Sequence, residues 1–200
     1  MNKAALRKYY LTERKKLSEE QLSYDSQAIC TGFFNWITSH YSELKAIQSI
    51  HCFLPIRKQK EVDTYLIIDH LRKQFPHIQL IISRVRLSDY SLENFVWNEH
   101  LQVQENAWGI PEPMGGDPFP AEKIDLVLIP LLIFDQNGHR VGYGKGFYDR
   151  FLAECRLNTL KVGLSLFEPI AAISDTTEHD IRLDACITPE QLWTFGSSEG

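Results

Sequence analysis

The chain has only four cysteines, Cys30, Cys52, Cys155 and Cys186, and no two of them form a C-x-x-C pair. That excludes the short-spaced thiolate signatures of zinc knuckles and thioredoxin-like redox sites. Free thiols in a reducing compartment are the expected state. The seven histidines are scattered, with no H-x-x-x-H pair, so none is assigned as a metal ligand. The longest apolar run near the middle, Leu126 to Phe134, falls far short of the roughly 20 residues that a bilayer span takes. An excess of basic charge is also missing: 21 Lys and Arg face 26 Asp and Glu, for a net charge of -5. Nucleic-acid binders usually carry a basic patch or stripe, so nucleic acid is not the expected partner. An anionic small molecule needs only a few local cations and stays open. The opening segment MNKAALRKYYLTERKK lacks the apolar stretch of a signal peptide, so the expected location is cytoplasmic.

Repeats, low-complexity stretches and linker-like segments are absent too. The 200 residues therefore read as one domain over 1–195, with 196–200 a disordered tail. Hydrophobic residues make up 44% of the chain, enough for a sizeable core without staples. Lys3 to Lys16 reads as a basic helix. Ser18 and Gln21 form a capping-box signal for a second helix, which sets Leu22, Ile29, Phe33 and Trp36 on roughly one face. Ile47 to Leu54 reads as a strand ended by Pro55. Thr64 to Phe75 reads as a helix, and Ile78 to Ile82 as a strand. Asp125 to Ile129 has the continuous β-favourable pattern of a strand covered on both faces. Asn137-Gly138 is a two-residue turn signal. A helix is expected from Phe147 to Cys155, then strands at Leu160 to Leu166 and Ala185 to Ile187. Helices alternating with buried strands predict an α/β fold, a three-layer α/β/α sandwich on a mostly parallel sheet.

The chemistry concentrates between Gly138 and Asp149, read G-H-R-V-G-Y-G-K-G-F-Y-D. Gly142, Gly144 and Gly146 alternate with Tyr143 and Lys145, a spacing that lets backbone take positive φ and approach a ligand. Amides exposed in such a turn cradle phosphate oxygens, and the following helix adds the positive end of its dipole. Arg140 and Lys145 supply cations, and Asp149 a carboxylate for magnesium. The segment is neither a Walker A motif nor a dinucleotide fingerprint, and the competing reading is a flexible loop between a hairpin and a helix. Lys3 and Arg7, four apart on one helix, share a face that would grip an anion, against the plainer reading of a solvated basic face. Glu61 either accepts hydrogen bonds from a ligand or favours the next helix start. Asp184 is a second candidate metal carboxylate beside Asp149, or a turn aspartate. Trp108, in Trp108-Gly-Ile-Pro-Glu-Pro113, walls a flat ring or packs a loop.

Four segments, in order, resemble the 5-formyltetrahydrofolate cyclo-ligase family, also called methenyltetrahydrofolate synthetase. They are Lys3-Ala-Ala-Leu-Arg7; Phe53-Leu-Pro-Ile with Glu61-Val-Asp-Thr64; Gly109-Ile-Pro-Glu-Pro113; and Asp125-Leu-Val-Leu-Ile-Pro130 with Phe134-Asp135 and Gly138 through Arg150. The resemblance spans nearly the whole chain, and the last segment is the most specific. The family usually has leucine at Val141, often tyrosine at Phe147 and, in many members, glycine at Leu131. Lys145 is glycine in many bacterial relatives.

The resemblance implies a three-layer α/β sandwich and an ATP-dependent ligase that closes 5-formyltetrahydrofolate to 5,10-methenyltetrahydrofolate. It implies that Lys3 and Arg7 contact ATP and that the loop Arg140, Gly142, Tyr143, Gly144, Lys145, Gly146, Phe147 and Tyr148 holds the triphosphate. Tyr143 to Phe147 would also face the folate, with Ile56 and Glu61 at the pterin end. Magnesium would sit on Asp149 and Asp184, with Arg140 and Lys145 beside the chemistry. A monomer acting on two small molecules, with neither membrane nor nucleic acid, is the expected state. Rival readings are a sugar-phosphate isomerase type of enzyme, which needs no ATP, and a non-catalytic folate or nucleotide sensor, which releases no ADP.

Overall fold

The computed structural model describes residues 1–39, 47–106 and 109–196. Its centre is a seven-stranded sheet in the order β11-β10-β9-β6-β1-β2-β3. The strands are β1 (Ser49–His51), β2 (Gln79–Arg86), β3 (Ser91–Val96), β6 (Leu126–Pro130), β9 (Leu160–Leu164), β10 (Ala185–Ile187) and β11 (Leu192–Thr194). The inner neighbours pair parallel. The two edge strands, β3 and β11, run antiparallel to their partners. Two small ribbons complete the strands: β4 (Val103–Glu105) with β5 (Pro111–Pro113), and β7 (Ile133–Phe134) with β8 (Arg140–Val141). The β7–β8 hairpin stands where the Asn137-Gly138 turn signal puts one; the β4–β5 ribbon, β3 and β11 were not expected, because three- to six-residue strands leave little periodicity to read.

The expected double coverage of the 126–129 strand is realised residue by residue. Leu126 and Leu128 pack into a core formed with α2 (Glu19–Ser39) and α3 (Tyr65–Gln74). Val127 and Ile129 point to the other face, against Phe151 and Leu152 of α4 (Phe147–Glu154). That alternation makes three layers from one strand. Each side chain so buried contributes about 1.5–3 kcal/mol relative to exposure.

The first strand is shorter than the expected 47–54. Beyond His51 the Cys52 amide still donates to Ile81, and the chain then leaves the ladder toward Pro55. Helix α1 (Lys3–Lys16) is capped by Asn2, whose side chain accepts from the Ala5 amide at 2.9 Å. Ser18 accepts from the Gln21 amide at 3.0 Å, half of the expected capping box. Gln21 itself turns to Asp25. Helix α1 uses Leu6 to pack on Ile133 and Val141, so it lies over the β7–β8 hairpin. Residues 197–200 of the expected tail lie outside the described residues. Among the described residues no helix is long and apolar enough to cross a membrane.

Candidate active site

A cavity of about 460 Å³ opens where the parallel strands end. From β1 the chain proceeds to β2 on one side, whereas β6, β9 and β10 build out on the other. The crevice at such a reversal is the usual ligand position in α/β sheets. Its floor comes from β1 (His51), β2 (Ser83, Val85) and β6 (Pro130). The glycine-rich segment forms one wall, and the turn bearing Ile56 and Glu61 faces it.

The hairpin before the glycines is stiffened from below. The buried Asp135 carboxylate accepts from the amides of Asn137, His139 and Ile173 at 2.9–3.0 Å. The connection is longer than the two-residue turn expected at Asn137-Gly138, because Asp135 gathers the whole 135–139 segment around itself. Arg140 leaves β8 with its side chain only 7% exposed. It donates to Asp149 Oδ1 at 2.7 Å and to the Ile181 carbonyl. Burial pulls its pKa below the ordinary arginine value, and Asp149 opposes that pull.

Two of the three glycines are required as glycines. Gly144 sits at φ +86°, and a Cβ there would lie 2.8 Å from Arg7 Cζ. Gly146, at φ 71°, is the N-cap of α4, so the free amides of that helix's first turn open on the cavity. Gly142 lacks positive φ and has open space where a Cβ would go; the sequence reading of three left-handed glycines is corrected to two. Its carbonyl accepts from Arg7 Nε at 2.9 Å. Lys145 is exposed at the mouth, and its carbonyl takes Arg150 Nη2 at 2.5 Å. Phe147, Tyr148 and Asp149 line the cavity with the loop.

Lys3 and Arg7 share the face expected of them and both line the cavity. They do not converge on one acceptor in the structure, since Lys3 Nζ binds both Asp180 oxygens at 2.5 and 2.6 Å. Glu61 does not serve the next helix. Asp63 takes that role, accepting from the Tyr65 amide at 3.1 Å. Glu61 instead turns inward, 5% exposed. It accepts from the Ile56 amide at 2.7 Å and from the Tyr143 hydroxyl at 2.6 Å. Burial raises its pKa, against those hydrogen bonds and the charge of Arg14.

Asp184 is not brought into the cavity. It stands just before β10, at the opposite end of the sheet, and accepts from the Lys161 amide at 2.8 Å and Nζ at 2.9 Å. The carboxylate of that loop which does line the cavity is Asp180. Among the described residues no group of three or more His, Cys, Asp or Glu could hold a metal ion. Magnesium, however, is commonly held by one or two carboxylates together with substrate phosphates. Asp149, 39% exposed beside the loop, fits that arrangement. Trp108 lies outside the described residues, although its neighbours Ile110 and Pro111 line the cavity.

Sequence reasoning missed Arg14, Asp180, His51 and Ser83. Lys3, Arg7 and Arg14 fall at i, i+4 and i+11 on one helix, a stripe that would have exposed Arg14. Arg14 is 3% exposed and donates to the Tyr143 hydroxyl at 3.2 Å. His51 is fully buried, with Nε2 2.7 Å from Ser83 Oγ, and burial pushes its pKa down to about 3. Nothing in a lone strand histidine announces such a position.

Comparison with known proteins places these features in company. Residues 1–189 match the model of the 5-formyltetrahydrofolate cyclo-ligase family. A probable 5-formyltetrahydrofolate cyclo-ligase of Schizosaccharomyces pombe is 27% identical, over 96% of this chain and 97% of that protein. The 5-formyltetrahydrofolate cyclo-ligase of Escherichia coli is 32% identical over 68% and 75%. Among solved structures, the 5,10-methenyltetrahydrofolate synthetase of Aquifex aeolicus superposes with a TM-score of 0.78 at 27% identity, covering 100% of this chain and 96% of that one. The synthetase of Mycoplasma pneumoniae gives 0.72 at 26%, covering 94% and 99%.

Proposed function

This chain belongs to the 5-formyltetrahydrofolate cyclo-ligase family and is an ATP-dependent enzyme that closes 5-formyltetrahydrofolate to 5,10-methenyltetrahydrofolate; from that premise we propose that the cavity at the strand ends is where it does so. One observation carries the assignment. A glycine-rich loop with Arg140 and Arg7 beside it faces a buried carboxylate across a single cavity. The first side suits a triphosphate, and the second suits the N–H groups of a pterin.

The formyl group on N5 is an amide, and its oxygen is a poor leaving group. Transfer of the γ-phosphoryl of ATP to that oxygen activates the carbon. N10 then attacks, phosphate departs, and ADP remains. Such chemistry asks for positioning and charge neutralisation rather than a nucleophilic side chain.

The loop amides from Gly144 to Tyr148 and the cations Lys3 and Arg7 hold the triphosphate, Lys3 exchanging Asp180 for phosphate oxygens. Arg140 neutralises charge at the transferring group, with Lys145 at the mouth as a second cation. Asp149 would hold a magnesium ion together with the phosphates, and that ion would supply further charge stabilisation. Glu61 orients the pterin by accepting its hydrogen bonds, while Ile56 packs on the ring. The same segment from Tyr143 to Phe147 meets the folate from the other wall.

We extend the proposal to a cytoplasmic monomer with one domain over 1–195, acting on two small molecules without membrane or nucleic acid. The test is methenyltetrahydrofolate absorbance after mixing protein with 5-formyltetrahydrofolate, magnesium and ATP, with an ATP-free control and ADP measured in parallel. Absorbance and ADP rising together, and only with ATP, is the expected result. Folded protein that binds ATP but yields neither product would refute it.

A further inference from the structure

Arg14 is a buried cation that the reaction as described leaves without a part. It stands in the last turn of α1 and is not among the residues lining the cavity. Among the described residues no carboxylate lies within ion-pair distance of it. A guanidinium taken out of water needs hydrogen bonds and charge to compensate its desolvation. Its partners are a carbonyl and a phenol. Nη2 donates to the Leu131 carbonyl at 3.0 Å, and Nη1 to the Tyr143 hydroxyl at 3.2 Å. That hydroxyl in turn donates to Glu61 Oε1 at 2.6 Å, while Glu61 Oε2 takes the Ile56 amide at 2.7 Å.

We propose that Arg14 is a positioning residue that locks the glycine-rich loop to the turn carrying Glu61, acting from outside the cavity through the hydroxyl of Tyr143. The relay crosses four segments: α1, the stretch after β6, the glycine-rich loop and the β1–α3 turn. Two turns earlier on α1, Arg7 holds the carbonyl of Gly142. The helix thus grips the loop at adjacent residues, by backbone at Gly142 and by side chain at Tyr143. A hydroxyl that donates to one ionised group and accepts from another is polarised in both directions, and each bond strengthens the next. The two walls of the cavity are held at one separation, which sets the distance between the triphosphate and the folate. The inference rests on the cyclo-ligase reading, because its consequence is felt by both substrates of that reaction.

The experiment is a double-mutant cycle on the full chain with Arg14→Met, Tyr143→Phe and the pair, assayed by ATP-dependent methenyltetrahydrofolate formation. Arg14→Met is expected to lower kcat/KM about tenfold and to raise KM for both ATP and 5-formyltetrahydrofolate. Tyr143→Phe should do the same, and the double variant should be no worse than the worse single, since both cut one relay. A pH profile separates positioning from bulk packing. The charged and titratable groups facing Glu61 are Arg14 from α1, Tyr143 from the loop and Tyr148 from α4, and burial keeps both tyrosines neutral. Losing the Arg14 cation then moves the acid limb of kcat/KM for the folate to higher pH. Arg14→Lys, with the charge but not the planar fork, should leave that limb in place while KM rises. It also carries the cycle should Arg14→Met not fold. Singles that multiply in the double, or an acid limb that ignores Arg14→Met, overturn the inference. A wild type without ATP-dependent product overturns the reading beneath it instead.

Discussion

The two ends of the same parallel sheet treat their carboxylates in opposite ways. At the end where strands begin, Asp125 accepts from the amides of Gln48 and Ser49 at 2.8 and 3.0 Å and pairs with Arg156. Asp184 does the same for β9 through Lys161. These carboxylates are bound to backbone, so moving them would break strand starts. At the end where strands finish, Asp149 and Asp180 take side-chain cations, Arg140 and Lys3, with the amide and hydroxyl of the loop residue Thr177 also donating to Asp180. A cation can exchange a carboxylate for a phosphate without disturbing the sheet. One edge is therefore built to stay closed, and the other to swap partners.

The largest test of that contrast is Arg140→Ala. If the open edge neutralises charge on the transferring phosphoryl group, kcat should fall by about 10²–10³-fold, the scale for losing one preorganised donor. Far-ultraviolet circular dichroism should show the fold retained, because Asp149 is exposed enough to be solvated alone. Near-normal turnover would remove Arg140 from the chemistry. Gly144→Ala is the next largest. It forces a side chain into left-handed backbone and onto the Arg7 guanidinium, so the loop must shift or Arg7 must leave. Kinetics in ATP should show KM raised about tenfold, the cost of roughly 1–2 kcal/mol for a non-glycine held at positive φ. Gly142→Ala, with neither constraint, is the control and should stay within about twofold.

At the closed edge, Asp184→Asn is expected to cost about 1 kcal/mol of stability, the scale of a hydrogen bond weakened at a strand start. Turnover per folded molecule should not change. Chemical denaturation and an assay below the melting range separate the two. Lost turnover in a folded variant would return Asp184 to the metal and break the comparison between the edges.

The sheet itself was legible because its strands are apolar runs long enough to carry a pattern, as in 126–129. The edge strands and the β4–β5 ribbon were not, since they are short and partly polar and carry no apolar run, as Val103–Glu105 against Pro111–Pro113. The glycine-rich loop was legible for a local reason: glycines, cations and a helix start adjoin in the chain. Arg14 and Asp180 reach the site only through folding. Each stands more than a hundred residues from one of its partners, Tyr143 for Arg14 and Lys3 for Asp180. Asp184 was read as a ligand because spacing cannot tell the start of a strand from its end.

His51 gives the smallest and most selective effect, because it belongs to both regions. It lines the open end yet has the burial of the core, with Phe151 4.9 Å from its ring. Burial holds its pKa near 3, from an ordinary 6.5, with nearby backbone carbonyls opposing the shift. The unfolded chain takes up a proton in that window and the folded chain does not. His51 therefore contributes stability that is full above pH 6.5 and is lost as pH falls toward 3. His51→Gln is neutral throughout and keeps a donor for Ser83. Near neutral pH it should be the less stable of the two, by about 1–3 kcal/mol for an imperfectly filled core site. As pH falls, its disadvantage should shrink, so that denaturation midpoints plotted against pH converge. Parallel plots would mean that the imidazole is solvated, and that the floor of the cavity belongs to the open edge after all.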